Sequence, residues 1–209
     1  NPCGVSVIKN NLKSFESALA CDPISAFGGI VSCNFKINKE IAIKLKKIFF
    51  EVIIARGFEA NALKILKTKK NLRLIDASKL EENNKWKFHS LNNSFLVQSE
   101  DQKKFLKKDF KIVSKRKPTV SQFNNLIFAF NVCRNTKSNA IVIADNYTTV
   151  GIGSGQPSRL DSCQIAIDKM KKFTKNRNSI VAASDAFFPF VDSIEKLVQS
   201  GVTAVMQPA

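Results

Sequence analysis

Two kinds of apolar pattern alternate along the chain: short continuous runs and longer stretches with helical spacing. Val5 to Ile8 reads as a first strand. Asn11 to Cys21 places Leu12, Phe15 and Leu19 on one helical face, and Asp22-Pro23 stops it. Ile24 to Gly29 is a loop and Ile30 to Phe35 a strand. Asn38 opens a helix running through Phe50. Val52 to Ala55, continuous and apolar, predicts a buried parallel strand. A helix over Glu59 to Lys67 and a strand over Leu72 to Ile75 follow. Asp76 to Asn93 is polar and irregular, and Phe95 to Gln98 and Lys111 to Ser114 have strand character.

The second part of the chain has stronger signals. Thr119 with Gln122 forms a capping box, and Phe123, Leu126, Ile127, Phe130 and Cys133 keep one helical face apolar to about Lys137. Ala140 to Ala144 is a β-branched run, Asp145-Asn146 turns the chain, and Thr148 to Ile152 resumes β-forming residues. Gly151, Gly153 and Gly155 then alternate, so backbone can pass close to a neighbour. Ser158 and Asp161 mark a helix start, with Cys163, Ala166, Ile167, Met170 and Phe173 on its inner face and Asn176-Arg177-Asn178 at its end. A strand over Ile180 to Ala183, a helix opened by Asp192 and Glu195 and stopped at Gly201, and a strand over Val202 to Met206 complete the series.

Strands alternating with helices predict an α/β fold with helices packed on a sheet. Helix, strand and a glycine or aromatic loop recur in both parts. This pattern predicts two related α/β halves, residues 1–117 and 118–209, meeting at Lys115-Arg116-Lys117-Pro118.

Composition narrows the class. The chain has 209 residues, 44% hydrophobic and 24% charged, enough for a real core and inconsistent with disorder. No apolar run reaches the ~20 residues that span a bilayer, and no signal peptide opens the chain, so a cytoplasmic protein without membrane contact is expected. It lacks an initiator Met, as a piece of a longer protein would. The net charge of +16 raises a nucleic-acid or polyanion-binding module as an alternative. The charge is mostly Lys, with six Arg, and is scattered, while 19 Asn suit AT-rich codons. Weak, salt-sensitive polyanion binding with no specific nucleic acid follows. Cys3, Cys21, Cys33, Cys133 and Cys163 form no Cys-x-x-Cys pair and lie in or beside apolar segments, as reduced core thiols do. With His89 the lone histidine, on an exposed strand or loop, a zinc site is not expected.

Three loops at strand ends carry the candidate chemistry. The Gly151–Arg159 loop lacks the spacing of a dinucleotide or phosphate loop and reads either as a structural turn or as a ligand loop. In Ser25 to Gly29, Phe27 beside two glycines is either a slot wall or core. Asp185 to Asp192 puts Phe187, Phe188, Pro189 and Phe190 together, a wall suited to a planar heterocycle or to core packing. Together the loops would hold a flat anionic molecule, with Arg159 on phosphate or carboxylate, Asn139 on an amide and Asp192 on a protonated nitrogen. Glu51, at a strand edge, suits a salt bridge or a ligand amine.

Six motifs taken in order resemble the transformylase region of the AICAR transformylase/IMP cyclohydrolase family. They are Asn-Pro-Cys-Gly, Asp-Pro-Ile-Ser-Ala-Phe-Gly-Gly, Glu-Val-Ile-Ile-Ala, Lys-Ser-Asn-Ala-Ile-Val, Val-Gly-Ile-Gly-Ser-Gly-Gln-Pro-Ser-Arg and Ser-Asp-Ala-Phe-Phe-Pro-Phe. The resemblance implies two cytidine-deaminase-like halves without zinc, in a cytosolic homodimer with its site near the subunit interface. It implies transfer of a formyl group from 10-formyltetrahydrofolate to the 5-amino group of AICAR. By motif, Gly28, Glu51, Asn139, Arg159 and Phe187 face AICAR, while Ile24, Phe27, Leu160, Pro189 and Asp192 line the folate side. Asn139 and Asp192 are the catalytic candidates, and Ser138 and Asp185 fall near the family's monovalent cation, for which potassium is the candidate.

The chain also departs from the family. The family's Lys-His pair, which includes its main proton-transfer candidate, precedes Asn-Pro-Cys-Gly. A Gly-Ser-rich loop and an Arg/Phe/His segment follow the equivalent of Gln207-Pro208-Ala209, and the cyclohydrolase domain is absent. Val191 replaces an Arg. The expectation is a piece inactive by itself, with a non-catalytic remnant as the alternative.

Overall fold

The computed structural model describes residues 1–80, 86–174 and 178–208, so the expected helix stop at Asn176-Arg177 lies outside the described residues. Asn10 caps α1 (Asn11–Cys21) by accepting from the Lys13 N–H at 2.9 Å. β1 (Gly29–Cys33), α2 (Lys39–Lys46), β2 (Phe50–Ala55), α3 (Ala60–Leu66) and β3 (Arg73–Asp76) then alternate. The three strands are parallel, in the order β1-β2-β3, and the crossover helices α2 and α3 pack on each other. Ile37, Ile41, Leu45, Ile53 and Leu66 fill this first core. The helix expected through Phe50 ends at Lys46. Phe50 pairs with Gly29 and is buried in β2, which a further helical turn would forbid.

Part of the stretch expected to be an irregular loop forms β4 (Trp86–Leu91), which pairs with β5 (Ser94–Ser99) in a separate antiparallel hairpin. His89 lies on β4, exposed and opposite Leu96. Residues 81–85 lie outside the described residues. Lys111 to Ser114 is not a strand: the chain there follows a strap over α4 (Val120–Cys133). Phe110 packs edge-on against Phe123 and Phe130, with ring centroids 6.0 and 5.8 Å apart. Arg134 donates to the carbonyl of Lys103 at 2.6 Å, so aromatic packing and side-chain bonds take the place of a sheet ladder.

The capping box of α4 forms as its sequence requires: Thr119 Oγ1 accepts from the Gln122 N–H, and Gln122 Oε1 from the Thr119 N–H. β6 (Ile141–Asp145) and β7 (Thr148–Gly153) are joined by Asn146 and Tyr147 at φ of 46° and 56°, the left-handed pair that a two-residue hairpin turn needs. α5 (Arg159–Phe173), β8 (Val181–Ser184), α6 (Asp192–Gln199) and β9 (Ala204–Met206) complete a four-stranded sheet ordered β7-β6-β8-β9. β6, β7 and β8 are buried on both faces, and successive side chains alternate between two cores. Val142, Ala144 and Ala183 face α4; Ile141, Ile143 and Ala182 face α5 and α6. The second part is therefore a three-layer α/β sandwich, and the chain as a whole is a mixed α/β protein. Among the described residues no helix is long and apolar enough to cross a membrane.

The expected first strand is a single bridge instead. Ser6 pairs with Thr148, Val7 donates to the Tyr147 carbonyl at 3.0 Å, and Thr149 donates to the Val5 carbonyl at 2.9 Å. The first residues thus extend the edge of β7, across the boundary expected at residue 118.

Candidate functional site

β7 and β8 both run antiparallel to β6. Their carboxyl ends and the entry to β6 therefore share one edge of the sheet, where ligands of α/β proteins gather. Ser138, Asn139, Arg159 and Asp185 meet there. Arg159 donates through Nε to Ser184 Oγ at 3.0 Å, through one terminal nitrogen to Asn139 Oδ1 at 2.5 Å, and through the other to Asp185 Oδ1 at 3.2 Å. The Asn139 amide nitrogen donates to the carbonyls of Gln156 and Pro157, both at 2.9 Å. Asp185 also accepts from the Ala140 N–H at 2.9 Å and from the Ser138 hydroxyl. The Ser138–Asn139 peptide is cis.

This is a nearly closed set of partners. The Arg159 and Asp185 side chains are each 12% exposed, and a guanidinium so buried needs its fork satisfied. The positive charge of Arg159 is directed inward onto Asp185 rather than outward to a ligand phosphate. Asn139 likewise has both ends of its amide engaged by protein. The arrangement can fix the geometry of the loop from Ser154 to Ser158 against the start of α5, whose N-terminus is capped by Ser158 Oγ accepting from the Leu160 and Asp161 N–H groups. Leu160, half-buried, follows directly.

The glycine alternation is explained by packing. A Cβ on Gly151 would stand 2.1 Å from the Ala166 carbonyl oxygen and one on Gly153 1.8 Å from that of Ser162, so helix α5 lies directly on β7. Gly155 differs: its φ is +67°, and a Cβ there would meet only the side chains of Asn1 and Lys137, each at 3.9 Å. It serves the turn.

Beyond this cluster, Phe187 is 58% exposed and Pro189 and Phe190 are exposed too, whereas Phe188 turns to the core and its N–H donates to Gln207 Oε1 at 2.8 Å. An apolar wall therefore stands beside the polar cluster. Asp192 is exposed at the first position of α6, Val191 being the cap, and its Oδ1 accepts from the Ser193 N–H at 2.6 Å.

In the first part, Ile24 and Phe27 are exposed, Phe27 by 70%, and Gly28 has φ +72°. The Gly28 N–H donates to the Phe49 carbonyl at 2.9 Å, and the Phe27 and Phe49 rings lie 5.3 Å apart. Glu51 is exposed at the second position of β2. These residues gather at the amino ends of parallel strands, not the carboxyl ends. A cavity of about 720 Å³ has Ser25 and Gly29 on one wall and Ser154 and Lys169 on another. It thus joins the first loop to the glycine loop. Phe187, Pro189 and Asp192 do not line it, so within one copy of the chain the third loop stands apart.

The cysteines lie off the polar cluster's chemistry. Burial pushes the Cys133 thiol up to about 12, with Asp185 adding to the effect, and pushes those of Cys21, Cys33 and Cys163 up to about 11. Among the described residues no three His, Cys, Asp or Glu side chains converge as metal ligands do. Sequence reasoning missed Ser184, Ser162 and Phe49. Ser184 directly precedes Asp185, which was the available signal. Ser162 Oγ donates to the Asn139 carbonyl at 2.7 Å from the inner face of α5, a contact only the fold creates.

The chain is similar to proteins named bifunctional purine biosynthesis protein PurH. It is 42% identical over 209 residues to that of Caldicellulosiruptor saccharolyticus, 43% over 208 residues to that of Aquifex aeolicus and 40% over 210 residues to that of Prochlorococcus marinus. Each alignment covers 100% of this chain and 40% of the relative, so the chain spans well under half the length of these proteins. The family model described as AICARFT/IMPCHase bienzyme matches residues 1–169, and the chain belongs to that family, whose relatives serve purine biosynthesis.

Proposed function

We propose that this chain contributes to a formyltransferase site that moves the formyl group of 10-formyltetrahydrofolate to the 5-amino group of AICAR, in the cytoplasm. The reading is carried by one observation: in a chain of this family, an exposed Phe187–Pro189 wall stands next to a rigid cluster of Arg159, Asn139 and Asp185. A flat imidazole ring and the flat pyrimidinone half of a reduced pterin both suit such a wall.

In the reaction, the AICAR amine nitrogen bonds to the formyl carbon, the carbon–N10 bond of the folate breaks, and the amine proton ends on N10. The amine is a weak nucleophile, so orientation supplies much of the acceleration. Arg159 and Asn139 act as positioning residues, holding the loop from Ser154 to Ser158 and the backbone at Ala140. Phe187, Gly28 and Glu51 face AICAR. Ile24, Phe27, Leu160 and Pro189 line the folate. Asp192, with Oδ1 on the Ser193 N–H, offers its other oxygen to a proton-bearing nitrogen of the folate. Ser138 and Asp185, whose side chains are hydrogen-bonded to each other, are the residues that would hold a potassium ion, which would supply a fixed positive charge.

The separation of the two sets of residues supports a homodimer: one copy does not bring Phe187 and Asp192 to the cavity beside Ser25 and Gly29. A second copy at the Phe187 wall completes the site. The order β7-β6-β8-β9, with its leading hairpin, supports a cytidine-deaminase-like second half, and the parallel β1-β2-β3 sheet belongs to the first half, with residues 117 and 118 at the junction.

Calorimetry with AICAR and with 10-formyltetrahydrofolate tests the reading, followed by a formyl-transfer assay. Both ligands are expected to bind, and Phe187→Ala is expected to weaken AICAR about tenfold through lost stacking. If neither ligand binds, the reading fails.

A further inference from the structure

The β4–β5 hairpin shows solvent a face that formyl transfer leaves unused. Opposite residues of an antiparallel pair share a face, so Trp86 with Ser99, Phe88 with Val97 and Phe95 with Ser90 lie on one side. Trp86, Phe88 and Phe95 are 58, 66 and 72% exposed, so three rings stand open on one ribbon. The strap over α4 begins where the hairpin ends. Ser99, the partner of Trp86, is followed by Glu100, which pairs with Lys87 at 3.4 Å. Eight of the fifteen residues from Lys103 to Lys117 are Lys or Arg, all exposed, and Asp109 is the one carboxylate among them. Lys103, at 3.6 Å, and the Leu106 N–H, at 2.7 Å, already meet its charge. Asp101, just before, pairs with Arg134 at 3.2 Å. The strap is anchored from beneath: the Phe105 ring lies 5.1 Å from that of Phe130, and the Arg134 guanidinium lies 5.1 Å over Phe105. Its backbone is thus held while its ammonium groups remain in water.

We propose that the hairpin and the strap together bind single-stranded RNA without regard to its sequence. Lysine meets phosphate as a point charge, and Arg116 is the one guanidinium from 103 to 117, so the strap has no set of forks to read base edges. Unpaired bases stack on exposed rings whatever their identity, whereas in a duplex the base faces already cover one another. The aromatic face therefore selects single strands, and RNA is the polynucleotide that presents unpaired bases. A cationic surface without rings makes no such choice. Rings and lysines follow each other along the surface, so one strand can lay bases on Trp86, Phe88 and Phe95 and phosphates on Lys104, Lys108 and Lys111.

Trp86 is the chain's one tryptophan, so its fluorescence reports on the aromatic face directly. The test titrates the chain with an oligouridine of about 15 nucleotides, with an RNA duplex of the same length and with inorganic polyphosphate, each at low and at moderate salt. Oligouridine is expected to quench Trp86 and to bind about tenfold more tightly than the duplex. Phe88→Ala, and Phe95→Leu, which keeps apolar area but no ring, should each weaken oligouridine about fivefold to tenfold and leave polyphosphate binding unchanged. Lys104→Gln, Lys108→Gln and Lys111→Gln combined should reduce the salt slope of log Kd by about 2. Equal affinity for oligouridine and duplex, or ring variants that weaken polyphosphate as much as oligouridine, overturns the proposal in favour of a general polyanion surface. Saturation without quenching of Trp86 also overturns it, because the rings then face something else, such as a second copy of the chain. No binding of oligouridine at low salt overturns it outright. Unchanged thermal unfolding of the variants ties a lost affinity to the surface rather than to the fold, and the comparison of the three ligands on the wild type stands without them.

Discussion

Lys169 Nζ stands 2.7 Å from Asp22 Oδ2, and this contact ties α5 of the four-stranded unit to the residue that ends α1. The Asp22 side chain is 3% exposed and that of Lys169 30%. Burial by itself opposes ionisation of Asp22, but hydrogen bonds from Lys169 and Ser25 outweigh it and hold the carboxyl below its usual range. The two partners are therefore not equivalent. Asp22→Asn keeps the Ser25 N–H bond and releases a lysine that can reach water, and is expected to cost about 1–2 kcal/mol. Lys169→Met strands a buried carboxylate and is expected to cost about 3 kcal/mol. Because the folded-state pKa of Asp22 is depressed, its stabilisation is complete above the ordinary carboxylate value of 3.8 and is lost as pH falls through the folded value. Urea unfolding from about pH 2 to 6 checks both the order and the sign: Asp22→Asn should lessen the acid destabilisation relative to the wild type.

Arg159 makes a second prediction. Its three nitrogens donate to three different side chains, an arrangement lysine cannot copy. Arg159→Lys is expected to destabilise by about 2 kcal/mol, nearly as much as Arg159→Ala. A double-mutant cycle with Asp185→Asn should give a coupling of about 1–2 kcal/mol, measured by denaturant unfolding. Additive effects would show that Arg159 and Asp185 act independently, and the positioning role given to this cluster would then be wrong.

The fold was largely legible because β6 and β8 are continuous apolar runs, buried on both faces, and because Thr119, Gln122 and Ser158 cap helices by local geometry alone. Legibility failed where tertiary pairing decided the outcome. Lys111 to Ser114 has strand-like residues but no neighbouring strand, so Phe110 packs on α4 instead. Val5 to Val7 makes its bonds to Tyr147 and the β7 edge, 140 or more residues away, which no local pattern signals. For the site, the residue types at Asn139, Arg159 and Asp185 were readable as polar groups at strand ends. Their inward pairing was not, since it depends on antiparallel β6 bringing positions 139 and 185 to one edge.

The glycines separate packing from turn geometry. Gly153→Ala and Gly151→Ala both drive a methyl into a carbonyl of α5, a contact that moving a side chain cannot relieve. Each is expected to cost about 3 kcal/mol or more. Gly155→Ala meets only side chains at 3.9 Å and is penalised for its φ of +67° alone, about 1 kcal/mol. Urea unfolding of the three variants should rank them in that order. A Gly155→Ala cost equal to the other two would mean that the turn, rather than the α5–β7 contact, governs the stretch.

Thiol reactivity tests the second core by an independent route. At pH 8 a thiol held near 11 is thiolate in roughly one molecule in a thousand, and one near 12 in roughly one in ten thousand. Cys133 is further protected because its Sγ sits 3.4 Å from the Ala140 carbonyl, between α4 and the sheet. Cys3 and Cys33 both line the large cavity, but Cys33 is buried and its thiol is pushed up to about 11, whereas Cys3 is half-buried and open to reagent, although burial and then Asp22 raise its thiol too. Native protein treated with a disulfide reagent should therefore show one fast thiol, identified as Cys3 by mass spectrometry, and all five only after denaturation. Cys3→Ser should abolish the fast phase. Arg159→Lys, by loosening the edge at Ala140, should speed labelling of Cys133 in proportion to the stability it loses, since a buried thiol reacts through transient opening. If Cys133 labels as fast as Cys3 in the wild type, the close packing of α4 on β6 and β8 is wrong.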